Sequence, residues 1–154
     1  KEYNIYSLRK QIAVVSQNIY LFSGSVIDNI KIAAPHLNDD EIKRFLSKNH
    51  LDELILKLPK GFDTIITENG SNLSGGQKQY ISILRAIIKQ DSKILIFDEA
   101  TASLDTNVEY QLIKALKPLI KNKTFIHITH KKYNDYMERF LCLQNGSITE
   151  LKEV

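Results

Sequence analysis

The sequence has little of several features that would assign it to a class at once. It has a single cysteine, Cys142, so no disulfide can form within the chain and we expect a reducing compartment. No apolar run approaches the roughly 18 residues that a membrane span requires, and no signal-peptide region opens the chain. The only methionine is Met137, so we expect the chain to come from a longer polypeptide.

Charge of one sign is also lacking. The 154 residues carry 21 Lys and Arg against 18 Asp and Glu, a net charge of +3, and the two signs alternate along the chain. This pattern argues against nucleic acid as a partner. With 43% hydrophobic and 25% charged residues, the composition is that of one ordinary globular domain, which excludes disorder and collagen-like repeats.

Short apolar strands alternate with helical patterns along the chain. Strands are predicted at residues 12–15, 93–97, 124–129 and 140–143, with an extended piece after Asn145-Gly146. Helices are predicted after the Asn38/Glu41 capping box, at 51–58, from Ser74 and around 108–119. The alternation predicts an α/β fold, a parallel sheet covered by helices. Residues 18 to 89 are predicted to form a mostly helical subdomain, with the core sheet in residues 1–17 and 90–154.

Two acids close the most apolar strand. Asp98 and Glu99 follow Ile94-Leu95-Ile96-Phe97, and ligands of open parallel sheets bind beyond the carboxyl ends of the strands. One carboxylate there could hold Mg²⁺ and the other could accept a proton from an attacking water. The alternative is that both acids only cap the following turn.

A glycine pair opens the helix that begins after Ser74. Ser74 can cap it, and Gly75 and Gly76 would let a phosphate approach the unpaired N–H groups of the first turn. The alternative is an ordinary junction between loop and helix.

These residues together resemble a known family. Residues 73–77 (LSGGQ), followed by 94–101 (ILIFDEAT), resemble the signature motif and Walker B motif of an ATP-binding cassette (ABC) ATPase. Gln17 resembles the Q-loop glutamine, residues 103–105 the D-loop, and His130 the switch histidine. Residues 21–30 and 67–70 are similar to segments of export-type transporters. The resemblance implies a P-loop NTPase-like sheet, with ATP and Mg²⁺ as cofactors.

No P-loop is present in these 154 residues. None of the six glycines begins a G-x-x-x-x-G-K-[ST] motif, which the family places upstream of the Q-loop. We therefore expect an N-terminally truncated sheet, the C-terminal portion of the ATPase domain. The isolated chain is expected to be inactive, to bind ATP weakly, and to self-associate or be of modest stability through exposed apolar surface.

The resemblance also implies the role of each residue in the reaction. Glu99 would be the general base, Asp98 would hold Mg²⁺, Gln17 would reach Mg²⁺ or the lytic water, and His130 would contact the γ-phosphate. His127, two residues earlier on a strand, should point to the opposite face and pack.

Other residues would act between subunits. The signature residues Ser74, Gly75, Gly76 and Gln77 would complete the ATP site of a second nucleotide-binding domain in a head-to-tail dimer, and Asp105 would lie at that interface. Glu68 and the segment near Phe22 would face the transmembrane domain, unless they are plain surface loops. The parent would be an exporter, with this domain at the cytoplasmic face of the cell membrane.

Two alternatives belong to other classes. A DNA-repair or chromosome-organising ATPase shares the signature and Walker B, but such proteins insert heptad coiled coils, and no sustained heptad repeat occurs here. A non-catalytic dimerisation module would use the same residues only for subunit contacts.

Overall fold

The computed structural model describes residues 4–131 and 137–151. In chain order, the elements are α1 (Ile5–Gln11), β1 (Ile12–Val15), β2 (Gly24–Ser25), α2 (Val26–Lys31), α3 (Asp39–Lys48), α4 (Glu53–Leu56), β3 (Ile65–Ile66), α5 (Gly75–Ile88), β4 (Ile94–Asp98), α6 (Thr106–Ile120), β5 (Thr124–Ile128), β6 (Phe140–Gln144) and β7 (Ser147–Leu151). Two single-turn 3₁₀ helices, Gly61–Asp63 and Glu68–Gly70, flank β3.

A parallel sheet in the order β1-β4-β5 forms the centre of the fold. Val14 pairs with Ile96, and Ile96 pairs with Ile126, so these three residues share one face. The predicted α/β architecture with a parallel sheet is confirmed. Because the three strands run the same way, the residues that follow them meet at one edge of the sheet.

The two faces of this sheet differ in burial. On one face Ala13, Val15, Leu95 and Phe97 are buried, and α5 packs against β1. On the other face Val14 and Ile126 are 55% and 44% exposed. The sheet therefore shows an apolar face to solvent in the described part of the chain.

Helices α2 to α5 lie between β1 and β4 in the sequence. Their starts are fixed locally: Ser25/Asp28 and Asn38/Glu41 form capping boxes on α2 and α3, the second of them as predicted. α2 packs against α5, and α5 also contacts β1. The buried side chains of this helical part and of the sheet belong to one hydrophobic core.

Four details of the fold differ from the sequence prediction or extend it. Helix α1 was not predicted, and it buries none of its side chains. The predicted helix at 51–58 shortens to the single turn of α4. α6 continues through Pro118 and ends two residues later, at Ile120. Finally, β6 and β7 pair as an antiparallel hairpin, and its turn places Asn145 and Gly146 at positive φ (51° and 74°), as type I′ turns require.

Candidate functional site

Each strand of the parallel sheet delivers one predicted catalytic residue just beyond its end. The amide of Gln17 donates from Nε2 to Glu99 Oε2 over 2.9 Å. Nε2 of His130 lies 2.8 Å from Glu99 Oε1. Gln17 thus contacts a carboxylate that lies 82 positions away in the sequence, and His130 contacts the other oxygen of the same carboxylate. The structure brings together the three residues predicted to be catalytic, Gln17, Glu99 and His130.

The backbone of Glu99 is held in an unusual conformation. Its φ is +50°, in the left-handed region that costs a non-glycine residue about 1–2 kcal/mol. Its N–H donates to Ile128 O over 2.9 Å, and its carbonyl accepts from Ala102 N over 3.2 Å. The turn therefore projects the Glu99 side chain, which is 26% exposed, toward the almost fully exposed His130.

Asp98 is the last residue of β4 and is half-buried. The amide nitrogen of Gln17 is already used by Glu99, so its Oε1 is the atom left to bind a cation. A carboxylate and an amide oxygen are both hard ligands of the kind that Mg²⁺ takes.

The predicted signature residues form the start of α5, where Ser74 and Gly75 are exposed. Ser74 Oγ accepts from Gln77 N over 3.2 Å, and Gln77 Oε1 accepts from Ser74 N over 2.9 Å, which closes a capping box. Gly75 is exposed, whereas a Cβ on Gly76 would lie only 2.8 Å from the carbonyl oxygen of Ser103. Gly76 thus permits close packing on Ser103 of the same chain, a role that was not predicted from the sequence.

Asp105 caps α6. Its Oδ1 accepts from Val108 N over 2.9 Å, and the residue is exposed. The neighbouring Leu104 is buried and anchors the loop that leads from Glu99 to α6. Capping explains an aspartate here without an interface, and its interface role stays a prediction.

His127 belongs to an aromatic cluster. Its ring stacks on Phe125 at 5.8 Å and meets Phe97 edge-on at 5.9 Å. Burial lowers the pKa of His127 to about 4, while Glu109 acts to raise that pKa and Lys131 to lower it. The packing role predicted for His127 agrees with these contacts. Lys131, which follows His130, pairs with the buried Glu109 over 2.7 Å.

The segment predicted to face a transmembrane domain is tied firmly to α5. Arg85 donates to the carbonyls of Tyr20 and Asn29 and to Asn29 Oδ1, each over 2.9–3.0 Å. Tyr20 and Phe22 are 59% and 45% exposed and pack edge-on against each other. Glu68, the other predicted contact, is exposed at the start of its 3₁₀ turn.

Gln79 joins two parts of the site, although it was not among the residues predicted from the sequence. This residue is 5% exposed on α5, and both ends of its amide are bonded: Nε2 donates to Glu99 O over 3.2 Å and Oε1 accepts from Ser103 N over 2.7 Å. An open cleft of about 480 Å³ is lined by Gln17, Gly75, Gln79 and Ser103, so the two groups of predicted site residues adjoin it. The available signal was a polar residue within an otherwise apolar helix face.

Comparison with known proteins decides the family. The family model for "ABC transporter" matches residues 1–102. The chain belongs to the ABC transporter family. It is 40% identical to an ATP-dependent lipid A-core flippase of Vibrio vulnificus (strain CMCP6), over 97% of this chain and 26% of that protein. It is 37% identical to the mitochondrial iron-sulfur clusters transporter ATM1 of Candida glabrata, over 97% of this chain and 21% of that one.

A solved ABC transporter shares the fold. The structure of a bacterial Atm1-family ABC exporter with ATP bound superposes with a TM-score of 0.74 at 33% identity, covering 82% of this chain and 22% of that one. The chain thus spans about a quarter of the length of the curated relatives it matches. Within the described residues, no helix of this ABC transporter chain has the length and apolarity to cross a bilayer.

Proposed function

We propose that the chain forms part of the ATP-hydrolysing nucleotide-binding domain of an ABC exporter. The observation that carries this proposal is the convergence of Gln17 and His130 on the two carboxylate oxygens of Glu99. A capping role alone would not require two donors from the loops that follow the flanking strands β1 and β5. The relatives named as a flippase and a transporter support the assignment to an exporter.

Glu99 is proposed as the general base. Gln17 and His130 each occupy one acceptor position on one oxygen of its carboxylate, and we assign a proton to His130 Nε2 because an ionised carboxylate can only accept. Each carboxylate oxygen has two lone pairs, so a water can still donate to it. The two donors fix the direction of the remaining lone pairs, and phosphoryl transfer depends chiefly on such positioning. His130, which is highly exposed, would contact the γ-phosphate.

Magnesium is proposed to depend on the nucleotide as well as on the protein. Among residues 4–131 and 137–151 no group of three or more His, Cys, Asp and Glu side chains could hold a metal ion. Mg²⁺ commonly uses one or two carboxylates together with waters and phosphates. Asp98 and Gln17 Oε1 suit that donor set, and the ion would neutralise charge on the phosphates.

Partners are proposed from residues that lie at least partly at the surface. Ser74, Gly75, Gly76 and Gln77 would complete the ATP site of a second nucleotide-binding domain, since the first-turn N–H groups of α5 suit an anion. Asp105 would lie at that interface. The exposed segment near Phe22, together with Glu68, would face a transmembrane domain, with the assembly at the cytoplasmic face of the membrane.

The 154-residue chain alone is proposed to be inactive. Its sequence contains no P-loop motif, and in P-loop NTPases that loop makes the main contacts to the phosphates. A calorimetric titration of Mg-ATP into the purified chain tests this point, and micromolar binding would contradict it.

The proposed hydrolysis is tested with Glu99→Gln in the full-length protein. The amide keeps the size of the side chain but cannot accept the proton, so we expect phosphate release to fall by roughly 10²- to 10⁴-fold while ATP remains bound. Glu53→Gln, the same change at an exposed position of α4, is the control and should hydrolyse normally. Normal turnover by the Glu99 variant would refute the assignment of the base.

A further inference from the structure

Gln79 is a buried amide that joins two parts of the site. It lies one helical turn after Gly75, so both residues lie on the side of α5 that faces the loop after β4. The Ser103 N–H can only donate, so the atom of Gln79 that receives it over 2.7 Å must be oxygen. The amide nitrogen is then left to donate to Glu99 O, 3.2 Å away. The contacts fix the amide orientation without ambiguity.

Glu99 requires such support because its backbone is strained. A non-glycine residue at φ +50° persists only where the surroundings determine its conformation. The carbonyl of Glu99 accepts one bond from Ala102 N within the same turn and one from Gln79 on another element. Gln79 is therefore the link between this strained turn and α5.

Helix α5 packs tightly against the loop that connects β4 to α6. A Cβ on Gly76 would approach Ser103 O to 2.8 Å, and Ser103 N is bonded to Gln79. Both the backbone oxygen and the backbone nitrogen of Ser103 thus lie against the first two turns of α5. A shift of the helix tip must move the loop and the Glu99 turn with it.

We propose that Gln79 is a positioning residue for hydrolysis, which sets the backbone of Glu99 and the D-loop relative to the signature end of α5. The inference rests on the proposed function, in which Glu99 is the base. Through Gln79, the same helix whose tip would touch a partner's nucleotide also orients the base of its own chain. Gln79 does not itself touch the reacting atoms.

The test uses the full-length protein and the variant Gln79→Met. Methionine fills a similar volume but makes neither hydrogen bond, so Glu99 should lose its fixed position. We expect kcat for ATP hydrolysis to fall roughly 10- to 100-fold, as for a misplaced catalytic group, with KM for ATP unchanged. Deuterium uptake over residues 99–105 should rise. Gln111→Met, the same change at an exposed position of α6, is the control and should behave as wild type.

Three outcomes would overturn the inference: wild-type kcat in Gln79→Met, a rise in KM that accounts for the whole effect, or unchanged deuterium uptake. If the methionine variant does not fold, Gln79→Asn is judged by the same criteria, since it keeps the amide but is too short to reach both partners. Glu99→Gln in the same assay separates the two proposals. If it hydrolyses ATP normally, the proposed function is wrong. If it is inactive while Gln79→Met is normal, only the role of Gln79 is wrong.

Discussion

The two adjacent glycines of α5 should respond differently to the same substitution by alanine. A Cβ on Gly76 would lie 2.8 Å from the backbone oxygen of Ser103, whereas a Cβ on Gly75 would meet the Ser103 side chain at an ordinary 3.6 Å. Crowding of this kind costs about 1–3 kcal/mol. Alanine in a helix gains up to about 1 kcal/mol over glycine. Gly76→Ala should therefore destabilise the fold by up to about 2 kcal/mol, and Gly75→Ala should be neutral or slightly stabilising.

Urea and thermal unfolding of both variants, followed by circular dichroism, measure this difference. For a chain of 154 residues, 1 kcal/mol corresponds to about 2–4 °C, so Gly76→Ala should melt roughly 2–12 °C below Gly75→Ala. Each variant is the control for the other, because both replace glycine by alanine in α5 and so change helix propensity by the same amount. Equal melting temperatures would show that the contact between Gly76 and the D-loop is not tight, and the packing reason for that glycine would have to be abandoned.

Two further predictions concern the sheet. Burial lowers the pKa of His127 to about 4, so between pH 6.5 and 4 the unfolded chain binds a proton that the folded chain excludes, and stability should fall by as much as about 3 kcal/mol as the pH falls through that window. Measurements of the free energy of unfolding at a series of pH values test this prediction. If a His127→Phe variant keeps the full pH dependence, another group must cause it. Separately, the exposed apolar face should make the 154-residue chain associate as its concentration rises in sedimentation runs. Ile126→Lys should weaken this association, and an unchanged association in that variant would exclude the face as its cause.

The sequence predicts well wherever a local rule operates. The strand that became β1 is a short apolar run, and the predicted capping residues Asn38 and Ser74 correctly mark the starts of α3 and α5. The motifs also identify Gln17, Glu99 and His130, which the structure brings together. Periodicity and capping act over a few residues, so a single sequence carries them.

Features that depend on tertiary contacts were not predictable. α1 has no buried face, so its sequence has no helical stripe to detect, although Asn4 caps it. The left-handed backbone of Glu99 is imposed by partners on β5 and α5, since the residue type alone disfavours it. The bridging amide of Gln79 is invisible for the same reason, because Glu99 and Ser103 are 20 and 24 positions away.

Because one site residue lies just beyond each strand of the sheet, the geometry of the site depends on the pairing of all three strands. Gln17 keeps its position only while β1 remains paired with β4, and His130 keeps its position only while β5 remains paired with β4. Fraying of β1 or β5 would release one of the two donors from Glu99, and such local opening can occur well before global unfolding. In the full-length protein, loss of ATP hydrolysis on mild heating should consequently precede loss of the helical circular-dichroism signal.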